Sequence, residues 1–297
     1  MTIKLGSKGG SAGSLVPIVQ PVNLGADHPV LFEPFAFPGF AEDGDVITIP
    51  NVFNGGSIAY YNSSGVLQWS KTKADVSATP LTWVGFCFDK TDALIYGIAQ
   101  DPATTPDTLY TFSINAAGTV VNIGNAQLGS DFTVAPAYNS ASVSARSSVQ
   151  RRTDGSGNLF ILGNVSNGTE EAEINISNGA IVSDPSQIFT CTAAYNLGLA
   201  YKTADDYYCG LYSLTLGAVY RSYVNIFKTS GYNGAVSFDP PQLGQFHDQI
   251  YNTIQWGDYV GYIPTTTFIN ATQGARLFLK TSYDAWIKSI VDAMDTN

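Results

Sequence analysis

The sequence predicts an all-β protein built of antiparallel meanders, a five- or six-bladed β-propeller, with a two-sheet sandwich as the alternative. Three observations carry that expectation. From residue 46 onward, short runs of β-branched and aromatic residues alternate with clusters of Gly, Asn, Asp and Ser. One stretch, 82–124, sets out four such runs within the span of a single propeller blade. Glycine recurs at what reads as the innermost hairpin turn, at Gly65, Gly118, Gly179, Gly217 and Gly274, at irregular intervals that mark a degenerate repeat.

Residues 1–41 read as an extended arm. The first part is rich in Gly and Ser, and the rest interleaves Pro17, Pro21, Pro29, Pro34 and Pro38 with Phe32, Phe35, Phe37 and Phe40. Proline at that density forbids a helix, yet the phenylalanines are too apolar to hang in water. The arm therefore lies along its own core or clasps a neighbouring subunit. The β domain spans 42–281. A strand at 45–50 stops at Pro50, and a hairpin at 57–70 turns at Asn62-Ser63-Ser64-Gly65. Then come the four runs 82–88, 93–99, 108–114 and 119–124, with turns at Asp89-Lys90-Thr91-Asp92 and Asn115-Ala116-Ala117-Gly118. Weaker strands follow at 159–163, 171–176, 207–214, 259–263 and 275–279, and 164–169 reads as an exposed loop. The segment 282–297 differs. Tyr283, Trp286, Ile287, Ile290 and Met294 recur at helical spacing, with Asp284, Lys288 and Asp292 on the other side, so an amphipathic helix is expected.

The chain has 297 residues, of which 44% are hydrophobic and only 13% charged, with a net charge of −10. An acidic chain without a basic patch is not expected to bind nucleic acid, whose affinity rests on neutralised phosphates, or an anionic membrane. No apolar run approaches the ~18 residues of a spanning helix, and no signal peptide is evident after Met1. A surface with few charges suits permanent packing against other subunits.

No cofactor, metal site or catalytic residue is assigned. The two histidines, His28 and His247, stand near no nucleophile motif, and Cys87, Cys191 and Cys209 form no metal-ligand pattern. Cys87, inside an apolar run, reads as a buried hydrophobe; pairing of Cys191 with Cys209 stays open. Paired carboxylates are the remaining route to chemistry, and Glu170-Glu171-Ala172-Glu173 and Asp205-Asp206 are the densest groups. Asp154-Gly155-Ser156-Gly157-Asn158 reads as a turn before it reads as a calcium loop. The sequons at Asn62, Asn164, Asn167, Asn175 and Asn270 reflect abundant Asn and Ser. Tyrosines such as Tyr60, Tyr207 and Tyr259 could stack on sugars or line an interface.

The unit Thr82 to Gly124, with Leu94-Ile95-Tyr96-Gly97-Ile98 and Leu109-Tyr110-Thr111-Phe112-Ser113-Ile114-Asn115, resembles a generic propeller blade. The opening Met1-Thr2-Ile3-Lys4-Leu5-Gly6, the Gly/Ser arm and the Ser/Thr/Asn/Tyr-rich body resemble virion proteins of tailed bacteriophages, of the tail tip, nozzle or fibre type. That resemblance implies a non-enzymatic structural protein made in the host cytoplasm and built into a virion. It would be a homo-oligomer gripping other virion proteins, with host-surface or glycan recognition as a further role. Phe32, Phe35, Phe37, Phe40, Tyr283, Trp286, Ile287 and Ile290 are the expected protein contacts. A carbohydrate-binding module and a propeller-type glycosidase are the alternatives.

Overall fold

The computed structural model describes residues 30–32, 46–48, 57–62, 64, 66–101, 103–104, 108–127, 148–151, 156–165, 168–190, 198–202, 207–216, 219–228, 236–238, 250–264 and 276–295. Among these residues the chain forms successive antiparallel meanders. The first comprises β1 (Val30–Phe32), β2 (Val46–Thr48), β3 (Ile58–Tyr61) and β4 (Leu67–Lys71), in that spatial order. The second comprises β5 (Thr82–Asp89), β6 (Leu94–Asp101), β7 (Thr108–Ile114) and β8 (Val120–Gln127). The third holds β9 (Ser148–Arg151), β10 (Leu159–Val165), β11 (Gly168–Ile174) and β12 (Ile181–Thr190). The fourth holds β13 (Gly198–Lys202), β14 (Tyr207–Leu216), β15 (Val219–Lys228) and β16 (Val236–Phe238). The fifth has β17 (Ile250–Trp256), β18 (Tyr259–Pro264) and β19 (Arg276–Leu279), followed by helix α1 (Lys280–Asp295).

Five meanders in sequence order make a five-bladed propeller-like body, as the all-β expectation required, and not a two-sheet sandwich. The first strands β5, β9, β13 and β17 gather together, β17 lying against both β5 and β9. Between β17 and β5 the contact is a parallel rung at Trp256 and Phe88, which joins the fifth and second sheets. The amide of Gly257 donates to the carbonyl of Phe88 at 2.9 Å.

The sequence of β5 explains its place. Trp83-Val84-Gly85-Phe86-Cys87-Phe88 is apolar throughout, as a strand buried on both faces must be, and all six residues are buried. A bulge between Trp83 and Gly85 shifts the register by one residue. Trp83, Phe86 and Phe88 therefore share one face, while Val84 and Cys87 take the other. The first face meets Ile47, Ile58 and Trp69 of the first sheet. The second face meets Val149, Leu159 and Ile161 of the third. Two apolar layers thus hold the second sheet between its neighbours.

Glycine at the hairpin turns has a packing reason. Gly118 and Gly179 have positive φ, 76° and 70°, in turns that join the third and fourth strands of their sheets. These are the outer hairpins, not the innermost ones expected from the repeat. Each turn rests on the outermost strand of the preceding sheet. A Cβ on Gly118 would come within 2.6 Å of the Trp69 ring, and one on Gly124 of β8 would run into the carbonyl oxygen of Asn178. An asparagine opens each turn: the side-chain oxygens of Asn62, Asn115 and Asn175 accept from backbone amides at Ser64 and Val66, Thr119, and Ser177. Asn62 and Asn175, two of the sequon residues, are spent on turn geometry.

Three expectations change. Residues 30–32 of the proposed arm pair with β2, so Phe32 belongs to the first sheet. The loop expected at 164–169 is a hairpin, with β10 running to Val165 and β11 starting at Gly168, so Glu170 and Glu171 lie in a strand. The helix begins two residues before the expected start, at Lys280. Phe35, Phe37 and Phe40 lie outside the described residues.

Candidate functional site

Polar and charged groups converge where the first strands of three sheets end. At the end of β5 the chain leaves the buried run through Asp89 and turns over Lys90, Thr91 and Asp92. The Oδ1 of Asp89 accepts the amides of Thr91 and Asp92 at 2.7 and 3.0 Å. The turn closes at Ala93, whose φ of 52° makes it the non-glycine positive-φ residue of the described chain. From the end of β9, Arg151 reaches into this turn. Its Nε donates to Asp89 Oδ2 at 3.1 Å and its Nη2 to Asp92 Oδ2 at 2.7 Å. The guanidinium also lies 5.0 Å from the centroid of the Tyr96 ring, a cation–π distance. Tyr96 donates its hydroxyl to the same Asp92 oxygen at 2.7 Å. From β17, the side-chain oxygen of Gln255 accepts the Arg151 amide at 2.8 Å.

A second layer extends the cluster. Lys90 pairs with Asp258 of the β17–β18 turn at 2.6 Å, an exposed bridge. The Asp258 carbonyl accepts the amide of Lys280 at 2.8 Å, which ties the start of α1 to the same end. Asn158 donates to Glu173 at 2.7 Å, and Gly157 beside it packs against Arg151, since a Cβ there would stand 3.3 Å from Nη2.

Burial tunes the groups it covers. It raises the Tyr96 phenol, and the hydrogen bond to Asp92 raises it further, against the pull of Arg151. Burial lowers the Lys280 ammonium, opposed by Asp284, Asp89 and Asp258. It raises the Cys87 thiol, which is free and fully buried, as a small hydrophobe should be.

The arrangement can do two things. Arg151 fastens three sheets at one end of the gathered strands, and it holds Asp92 in one orientation. The side chain of Asp92 remains 33% exposed while those of Arg151 and Asp89 are 11% and 14% exposed. Among the described residues no group of three His, Cys, Asp or Glu side chains could hold a metal ion. No described helix is long and apolar enough to cross a membrane.

The residues around Arg151 did not stand out in the sequence as chemistry. Asp89 and Asp92 read only as turn formers, and Arg151 belongs to a chain without a basic patch. Their partnership spans 62 and 59 residues, a separation no local pattern reports. Of the carboxylates that did stand out, Glu173 lies at the edge of the cluster and accepts from Asn158, Glu170 and Glu171 lie in β11, and Asp205 and Asp206 lie outside the described residues, as do His28, His247 and Cys191. Of the expected contact residues, Tyr283 is buried at 6% exposure, and α1 lies against β18 and β19 of its own chain. That part of the helical stripe packs inward.

No family model matches the chain, and no curated protein does. Solved structures do. A glycosyl hydrolase from Bacteroides ovatus shares 10% identity at a TM-score of 0.45, covering 89% of this chain and 91% of that one. The Bacteroides ovatus protein described as xyloglucan PUL GH43B shares 12% at 0.48, covering 89% of this chain and 53% of that one. An exo-β-1,3-galactanase from Phanerochaete chrysosporium shares 11% at 0.46, covering 89% and 63%. The chain thus spans under two thirds of the length of two of these proteins. The expectation of a non-enzymatic bacteriophage tail or structural protein with a host-attachment role is corrected by this finding: the similar solved structures named above are described as glycoside hydrolases. At such identities and TM-scores no activity, substrate or residue role is carried across from those proteins.

Proposed function

We propose that this chain is a carbohydrate-active propeller of the glycosidase type, working through the Asp89–Asp92 turn. The observation that carries the reading is Asp92. One of its oxygens takes both Arg151 Nη2 and the Tyr96 hydroxyl at 2.7 Å, and a third of the side chain faces solvent. A carboxylate pinned in this way has paid its orientational cost in advance, as attack on an anomeric carbon or activation of a water demands. The left-handed Ala93 that ends the turn supports the same reading, since backbone held in a sparsely populated region clusters at working sites.

The test is turnover on a panel of aryl glycosides and plant and fungal polysaccharides. Asp92→Asn is expected to cut the rate by about a hundredfold or more, the usual weight of a positioned carboxylate. Absence of turnover on the whole panel, or a fully active Asp92→Asn protein, would sink the proposal.

Binding without turnover is the second reading, and one observation favours it. Asp89 and Asp92 share one guanidinium, so a cation occupies the place between two carboxyls where an acid–base pair would hold a sugar. Glycan binding measured by calorimetry, with no hydrolysis of the bound glycan, would select this reading over the first.

A further inference from the structure

We infer that Asn178–Gly179 is a latent modification site, shielded while the second and third sheets stay packed and able to make their separation permanent. Asparagine followed by glycine is prone to imide formation. The Gly179 nitrogen, after losing its proton, attacks Asn178 Cγ, and the side-chain nitrogen leaves as ammonia. Water then opens the imide to aspartate or to isoaspartate, in which the main chain runs through Cγ and is one carbon longer.

Three contacts oppose that attack. The Gly179 amide is engaged, donating to the Asn175 carbonyl at 2.8 Å. The Asn178 side-chain oxygen is engaged too, accepting the Ala180 amide at 3.0 Å. The turn is also wedged against β8, since a Cβ on Gly179 would stand 2.7 Å from the carbonyl carbon of Gly124. Asn178 is nonetheless exposed, so water reaches it. Shielding therefore lasts only as long as the turn stays seated. Once isoaspartate forms, the added backbone carbon has no room where a Cβ on Gly124 already runs into the Asn178 carbonyl, and the turn cannot reseat.

The test compares the intact chain with a peptide spanning 172–182 in mildly alkaline buffer, following isoaspartate at position 178 by mass spectrometry. The intact chain is expected to react slower by roughly tenfold or more, the protection that a local opening equilibrium confers. Gly124→Ala is expected to bring the rate toward that of the peptide. Should that variant fail to fold, urea below the unfolding midpoint serves instead, and the rate at Asn178 is expected to rise in step with hydrogen exchange of the Gly179 amide. Equal rates in chain and peptide would overturn the inference. So would a rate that ignores urea while the amide exchange quickens.

Discussion

Arg151 makes contacts that a lysine cannot copy. Its planar fork places Nε on Asp89 and Nη2 on Asp92 at once, while the same plane lies over Tyr96; an ammonium is a point charge that would satisfy one carboxylate. Arg151→Lys is expected to lower stability by about 2–4 kcal/mol, near the cost of breaking a largely buried pair, read from the urea midpoint. Gly97 is a packing position of another kind. A Cβ there would overlap the ring of Phe112, which is fully buried between Trp83 and Phe86. Gly97→Ala is expected to cost about 1–3 kcal/mol, the range for overfilling a closed core. Ala93 points the opposite way. Its φ of 52° costs an L-residue roughly 1 kcal/mol that glycine does not pay. Ala93→Gly should therefore raise the thermal midpoint by a few degrees, and a drop would mean the alanine methyl group has a packing role.

At the scale of strands and turns, the outer hairpins decide how sheets meet. Trp69 lies under the Gly118 turn and donates its indole N–H to the Ala116 carbonyl at 3.0 Å. Trp69→Phe keeps the apolar face and loses that bond, for an expected cost of about 1–2 kcal/mol including the volume lost; an unchanged urea midpoint would show the bond to be idle. The four strands of the second sheet were legible in the sequence to within three residues at their ends, because β5, buried on both faces, is written as an unbroken apolar run and the turns beside it as Asp, Asn and Gly. The hairpin at Val165–Gly168 was not, because Ser166 and Asn167 carry the composition of a loop whatever the length of the strands beside them. Nor was the order of hairpins within a sheet, since glycine marks a tight turn without saying which pair of strands it joins.

For the whole molecule, pH acts mainly on groups that burial has shifted. The Tyr96 phenol titrates later in the fold than its ordinary 10.0, and the Cys87 thiol later than its ordinary 9.0. Below those values both contribute fully. As pH rises past them the unfolded chain sheds these protons first, so stability falls. Lys280, lowered by burial, works in reverse and regains stability as pH climbs toward 10.5. Among the described residues two groups stand against one, so unfolding is expected to become easier above about pH 9–10, and Tyr96→Phe should flatten the decline in the urea midpoint. The Arg151 cluster escaped the sequence for a reason that belongs to this scale. It exists only because strands from three sheets end together, and strand ends meet in space through topology that no window of residues encodes. Cys87 lies on that same architecture, on the face of β5 that meets the third sheet. With Cys191 and Cys209 changed to serine, its thiol becomes a stopwatch: an alkylating reagent can reach it only in molecules whose second and third sheets have parted, so the labelling rate counts those excursions directly.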